Sequence, residues 1–365
     1  MTKQAPQERP EGATEAHSET RESRAAGASE TVSMVLSGEI SKAMRPTDPT
    51  ERLGLTTTDS PYDQFGRKAR PRSGYRPRDG DRRERDRRRI VSLAGGRVGS
   101  VSLRYREPAH DVATEDGRIV VGTDEGVLEL VVPADGNDPD GRAIRELGGP
   151  APTTALAVDE QGTVLAGGDG GLARRNGNRE WHSLGSVEPR EPMGETRAID
   201  GDFLASSEGV FRVAGDELRY SGLDDAADVS SVGIPHTATA EGLYALGNGW
   251  LAILEGGFSV VAADPETAGP GALGRAHAVS SEDGGADGGS DDNGSSDDGS
   301  EVYEHVDGNW RRRALPTDDR VVDVAYGKRP YAVTEKGTFL VSDGDEWRTH
   351  PLGLRGVRAL AIAFR

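Results

Sequence analysis

The stretch Ile119-Val120-Val121-Gly122-Thr123-Asp124-Glu125-Gly126-Val127-Leu128 decides the fold. Two short runs of strand-forming residues flank a polar turn that ends in glycine, the pattern of a tight hairpin. The phrase returns as Val164-Leu165-Ala166 through Gly170-Gly171-Leu172-Ala173 and as Phe203-Leu204-Ala205-Ser206-Ser207-Glu208-Gly209-Val210-Phe211. Further copies are Leu243-Tyr244-Ala245 through Gly249-Trp250-Leu251, and Tyr331-Ala332-Val333-Thr334-Glu335-Lys336-Gly337-Thr338-Phe339. The turn glycines Gly126, Gly171, Gly209, Gly249 and Gly337 are spaced 45, 38, 40 and 88 residues apart, the last gap covering two repeats and an insertion. The missing copy begins at Ala276-His277-Ala278-Val279 and resumes at Glu301-Val302-Tyr303. A strand repeat of this period means blades arrayed about an axis, and six copies are expected.

Two more strand signals flank each hairpin. Before it come short apolar runs, Ala155-Leu156-Ala157-Val158, Val322-Asp323-Val324-Ala325 and Arg358-Ala359-Leu360-Ala361-Ile362, suited to the strand nearest the axis. After it comes a polar turn and an aromatic: Trp181, Tyr220, Trp310 and Trp347. One bulky ring per repeat is expected to fill the space between adjacent blades. The chain ends on a seventh axial strand with nothing after it. That strand is expected to pair with the start of the array, beside or within the blade holding His110-Asp111-Val112-Ala113. The fold class is therefore all-β: a six-bladed β-propeller of four-stranded antiparallel sheets, preceded by a disordered N-terminal segment.

Two passages carry a resemblance. Ser342-Asp343-Gly344-Asp345-Glu346-Trp347 distantly resembles the Asp-box turns of sialidase-type propellers, with no sialidase site residue to carry across. Tyr331 through Val341, and Trp347 through Leu354, are more similar to a haloarchaeal family of predicted β-propellers without assigned activity, over about residues 111–365. The resemblance implies fold and lineage and leaves the activity open.

Composition agrees with such a lineage. The chain has 62 acidic and 44 basic residues, only 5 of the latter lysine, a net charge of −18 and no cysteine. Acidic surfaces keep proteins hydrated in strong salt, and the absence of cysteine excludes disulfide scaffolds and thiol catalysis. A halophilic, cytoplasmic protein is expected, with no membrane span and no secretory signal in the acidic, polar first thirty residues. Charge divides the chain: residues 1–108 hold 22 basic and 16 acidic residues, residues 109–365 hold 22 and 46. Residues 98–365 are expected to be the propeller, with a disordered acidic insertion at 283–300. Residues 1–97 read three ways: a disordered tail, a nucleic-acid arm centred on Arg82-Arg83-Glu84-Arg85-Asp86-Arg87-Arg88-Arg89, or an extension translated from too early a start, the true one falling near Val91, Val98 or Val101. The acidic propeller makes nucleic acid an unfavourable partner. A protein or small polar ligand is expected instead.

Candidate site residues are those that can converge on the central channel: His110, His236 and His277, placed at or before inner strands, with Asp111 and Asp323 as inward-facing acids. Three histidines could ligate a transition metal, but they occupy non-equivalent positions, so neither a metal nor a cofactor is expected. Gly167-Gly168-Asp169-Gly170-Gly171 lacks the lysine, hydroxyl residue and helix of a phosphate loop. Arg311-Arg312-Arg313 is the propeller's one basic cluster. Two functions stay open: a non-catalytic interaction or ligand-binding scaffold, and a hydrolase or lyase acting on a sugar or similar substrate in the channel. Three or more ionisable groups from different blades around one cavity would favour the enzyme.

Overall fold

The hairpin phrase does its work through its hydroxyl residue. Thr123 Oγ1 donates to the Gly126 carbonyl at 2.8 Å and accepts from the Glu125 N–H at 3.2 Å. Ser206 repeats this with Gly209 and Glu208, and Thr239 with Gly242 and Glu241. A buried hydroxyl thus replaces the water that a tight turn's backbone would otherwise need. Gly209 shows why the fourth residue is glycine: its φ is +117°, and a Cβ there would sit 1.9 Å from the Leu223 carbonyl oxygen.

The computed structural model describes residues 31–36, 89–94, 102–105, 108–115, 118–131, 143–169, 171–177, 180–186, 193–281, 300–344 and 346–363. Every regular element among them is a strand, and none is a helix able to cross a membrane. The strands make an all-β, propeller-like fold of four-stranded antiparallel units. Blade 1 runs Ala109–Glu115, Arg118–Thr123, Gly126–Val131 and Ala143–Gly148. Blades 2 to 6 begin with the inner strands Ala155–Val158, Thr196–Asp200, Ala226–Ser230, Phe258–Ala263 and Val321–Tyr326, and each continues outward through three more. The outermost strands of blades 2 and 3 also touch, in parallel, through Gly185–Glu217 and Ser186–Leu218, which merges those two units into one eight-stranded sheet.

The expected count of six requires correction, because the described strands form seven four-stranded units. The C-terminal strand Val357–Ala363 flanks the His110 blade, one of the two expected placements, and does not enter it. It is the inner strand of its own sheet, paired with Thr31–Leu36 and followed outward by Arg89–Ala94 and Ser102–Tyr105. The inner strands then follow one another around a closed circuit, blade 7 lying between blades 6 and 1. Closing the ring leaves no blade at the end of an open array. Within 1–97, Thr31–Leu36 and Arg89–Ala94 are therefore strands. The rest of that segment, and the insertion at 283–300 apart from Ser300, lie outside the described residues.

Blade 4 also corrects the repeat register. Its second and third strands are His236–Thr239 and Gly242–Leu246, so Gly242 is the counterpart of Gly126, and Gly249 turns into the outermost strand Trp250–Glu255. Trp250 consequently joins Trp181, Trp310 and Trp347 at the start of a fourth strand. Each tryptophan packs on the preceding blade, as expected, whereas Tyr220 departs from that expectation: it is exposed and lies edge-on against Phe211 of its own blade. Trp181 Nε1 donates to the Leu147 carbonyl at 2.8 Å and Trp250 Nε1 to that of Ser221 at 3.1 Å. Trp310 lies against Ala238 and Leu243, and Trp347 against Val260, Val279 and Val302. Seven apolar clusters result among the described residues, one in each wedge between consecutive blades. The core is thus distributed around the ring, leaving the axis open.

Candidate functional site

The axis holds a cavity of ≈ 830 Å³ walled by the inner strands. Its chemistry begins with a bulge. In blades 1, 3, 4, 5, 6 and 7 the pairing of the inner strand slips at its second residue. A bulge re-aims the extra side chain, and those residues line the cavity: His110, Arg197, Ala227, Ser259, Val322 and Arg358, with Thr154 supplied by blade 2. Around the ring, Arg358, His110, Thr154 and Arg197 come from four consecutive blades, and Ala227, Ser259 and Val322 from the other three. One arc of this mouth is cationic and polar, and the opposite arc is small. Arg197 Nη1 donates to Asp225 Oδ1 at 2.7 Å, His110 Nε2 lies 2.5 Å from Asp124 Oδ1, and Thr154 Oγ1 donates to the Thr196 carbonyl at 2.7 Å.

One residue further in, three blades carry aspartate. Asp111 Oδ1 accepts from the Val112 N–H and its Oδ2 from the Leu156 N–H of blade 2, both at 2.7 Å. Asp228 repeats this with Val229 and with Val261 of blade 5, each at 2.8 Å. Asp323 does so with Val324 and with Leu360 of blade 7, at 2.7 and 2.6 Å. Asp200, two positions deeper, accepts from the Ser231 N–H of blade 4 at 2.6 Å. Each acid thereby ties its blade to the next. All four line the cavity, so four ionisable groups from different blades surround one space. Burial raises every one of them: Asp111 and Asp228 to about 7, Asp323 well above its ordinary value, and Asp200 upward. The backbone donors lower these values by less than burial raises them, and the acids raise one another across the axis.

Of the expected residues, His110, Asp111 and Asp323 stand on this cavity and are brought together. His236 and His277 are not, which corrects their expected place on the channel: both lie on second strands, facing between blades. His236 Nδ1 donates to the Ile234 carbonyl at 2.6 Å, its ring tilts against Trp310, and burial pushes it down to about 4. His277 is fully buried against Tyr326 and Trp347, hydrogen-bonded to the Tyr326 hydroxyl, with Glu304 3.9 Å from its Nε2. Burial, then the Arg275 and Arg313 charges, push it down to about 3. Those two arginines grip the buried Glu304 at 2.6 and 2.5 Å. Among the described residues, no cluster of three or more histidines and carboxylates is arranged to hold a metal.

Asp228, Arg197, Thr154 and Arg358 were missed from sequence. Asp228 had a readable signal, because Asp228-Val229 repeats Asp111-Val112 and Asp323-Val324. The arginines had none, since a bulge is not visible in a composition pattern.

Ring closure, the wedge cores and an axial cavity define the chain as a β-propeller. It belongs to the HVO_0234-like β-propeller family, whose model matches residues 89–363. No curated protein matches it. Among solved structures it is similar to YCF48 bound to a D1 peptide, at 14% identity and TM-score 0.45, over 66% of this chain and 82% of that one. A chain of a mitotic checkpoint complex gives 8% identity and TM-score 0.49, over 69% and 80%. The computationally designed Ika8 protein gives 15% and 0.46, over 74% and 83%.

Proposed function

We propose that this propeller is a non-catalytic binding scaffold of a halophile's cytosol, receiving a protein or small polar ligand at the axial mouth with an anionic group foremost. The observation that supports it most is the use of the channel acids: both oxygens of Asp111, Asp228 and Asp323 accept backbone N–H groups, which commits them to joining blades. The Arg358–His110–Arg197 arc then supplies the donors that face a guest. Guanidinium groups recognise carboxylate and phosphate oxygens in forked geometry. Isothermal titration with citrate, succinate and glucose 6-phosphate as probes tests this. Binding should weaken at least tenfold in Arg197→Gln/Arg358→Gln, and unchanged binding, or none by wild type, would remove the proposal.

A second reading, a hydrolase or lyase acting on a sugar or other polar substrate, is favoured by one observation. Asp111 and Asp228 sit at about 7, where a carboxyl serves as a general acid at neutral pH. Four ionisable groups converging on one cavity also favour it. Turnover of chromogenic glycosides that vanishes in a folded Asp228→Asn variant would establish that reading over the scaffold.

A further inference from the structure

The outermost strand of blade 4, Trp250–Glu255, is unlike the other described outer edges. Leu251 is 64% exposed and Ile253 36%, and from Trp250 to Leu254 no residue is charged. The edges of blades 1, 2, 3, 5 and 6 are covered or defended, and the outer strand of blade 7, Ser102–Tyr105, carries Arg104 in its sequence. Blades 2 and 3 pair with each other, while blade 1 presents Arg145 and Glu146, blade 5 Arg311 to Arg313, and blade 6 Glu346 and Arg348. Charges on an edge strand block further pairing, and an apolar edge with open N–H and C=O groups is a template for another strand. Among the described residues no strand lies beyond Trp250–Glu255.

Charge says what would pair there. No lysine or arginine occurs between Arg219 and Arg275, whereas Asp224, Asp225, Glu241, Glu255, Asp264 and Glu266 do. Blade 4 itself, from Tyr220 to Gly274, thus carries acids and no cation around its apolar edge. A second copy would bring two such acidic sectors together, which disfavours self-pairing. We propose that the blade 4 edge docks an extended segment of a partner protein, apolar at alternate positions and flanked by lysine or arginine, adding a fifth strand to the sheet. The axial mouth plays no part, so failure of either proposal leaves the other standing.

The probe is a synthetic nine-residue peptide of alternating valine and threonine with two lysines at each end, read by fluorescence anisotropy against the same peptide flanked by glutamates. The lysine peptide should bind wild type at least tenfold more tightly than the glutamate peptide. It should also bind at least tenfold more tightly than to Leu251→Thr/Ile253→Thr, whose exposed sites and retained strand propensity spare the fold, with cooperative melting as the check. Absence of binding, equal affinity for both peptides, or indifference to the double variant would overturn the proposal. So would a wild-type dimer in sedimentation that the variant dissolves, which would assign the edge to a second copy.

Discussion

Replacing Asp228 by asparagine should reverse the effect of pH on this protein's relative stability. Asp228 is held at about 7 against an ordinary 3.8 because burial disfavours its charged form. A group with a raised folded pKa stabilises most below its unfolded pKa, and that contribution is lost as pH rises through the folded value. From pH 5 to pH 8 the loss spans about two pKa units, and at 1.36 kcal/mol per unit it is about 3 kcal/mol. Asparagine carries no such term. At pH 5 the variant should be less stable by about 1–2 kcal/mol, because its amide N–H₂ cannot accept one of the two backbone donors that Asp228 serves. By pH 8 that deficit should have vanished or changed sign. His236 and His277, lowered to about 4 and 3, act oppositely, adding stability as pH rises towards 6.5. The difference between variant and wild type removes their contribution. Urea unfolding followed by tryptophan fluorescence at pH 5, 6, 7 and 8, at fixed ionic strength, measures it. A stability difference constant across that range, or one that grows in wild type's favour at pH 8, would refute the burial argument.

Gly209→Ala should cost at least about 2 kcal/mol, from a left-handed φ and a Cβ directed onto the Leu223 carbonyl, seen as a lower urea midpoint. Trp347→Ala should remove about 3–5 kcal/mol by emptying the wedge between blades 5 and 6, measured the same way. Removing residues 1–88 deletes Thr31–Leu36, the hydrogen-bonding partner of Val357–Ala363, and should lower Tm by several degrees in calorimetry. An unchanged Tm, together with a native mass that begins near Val91, Val98 or Val101, would instead make the early segment dispensable.

The repeat was legible because the hairpin turns place a glycine, and in most blades a hydroxyl residue three positions before it, at fixed offsets. Thr123 and Gly126, Ser206 and Gly209, and Thr334 and Gly337 display that spacing openly. In blade 4 the sequence points one strand too late, since Gly249-Trp250 imitates the phrase while the true copy, Thr239-Ala240-Glu241-Gly242, lies 33 residues after Gly209 and breaks the rhythm. That slip also placed His236 on the axis instead of between blades. The seventh unit was hidden because residues 37–88 separate two of its strands and its composition matches non-globular chain. The cavity's arginines were hidden for another reason: Arg197 and Arg358 reach the axis through a one-residue slip in pairing, which depends on three-dimensional register.

The seventh sheet has a consequence for biosynthesis. Val32 pairs with Ile362, 330 positions later, so the innermost strand of that sheet is the last of its four to be synthesised. At roughly 5–20 residues per second, Thr31–Leu36 must wait about 15 s to a minute for that partner. During that interval Thr31–Leu36, paired with Arg89–Ala94 on one side, keeps its other edge open, and a chaperone that shields that edge would be most useful for the length of one translation round.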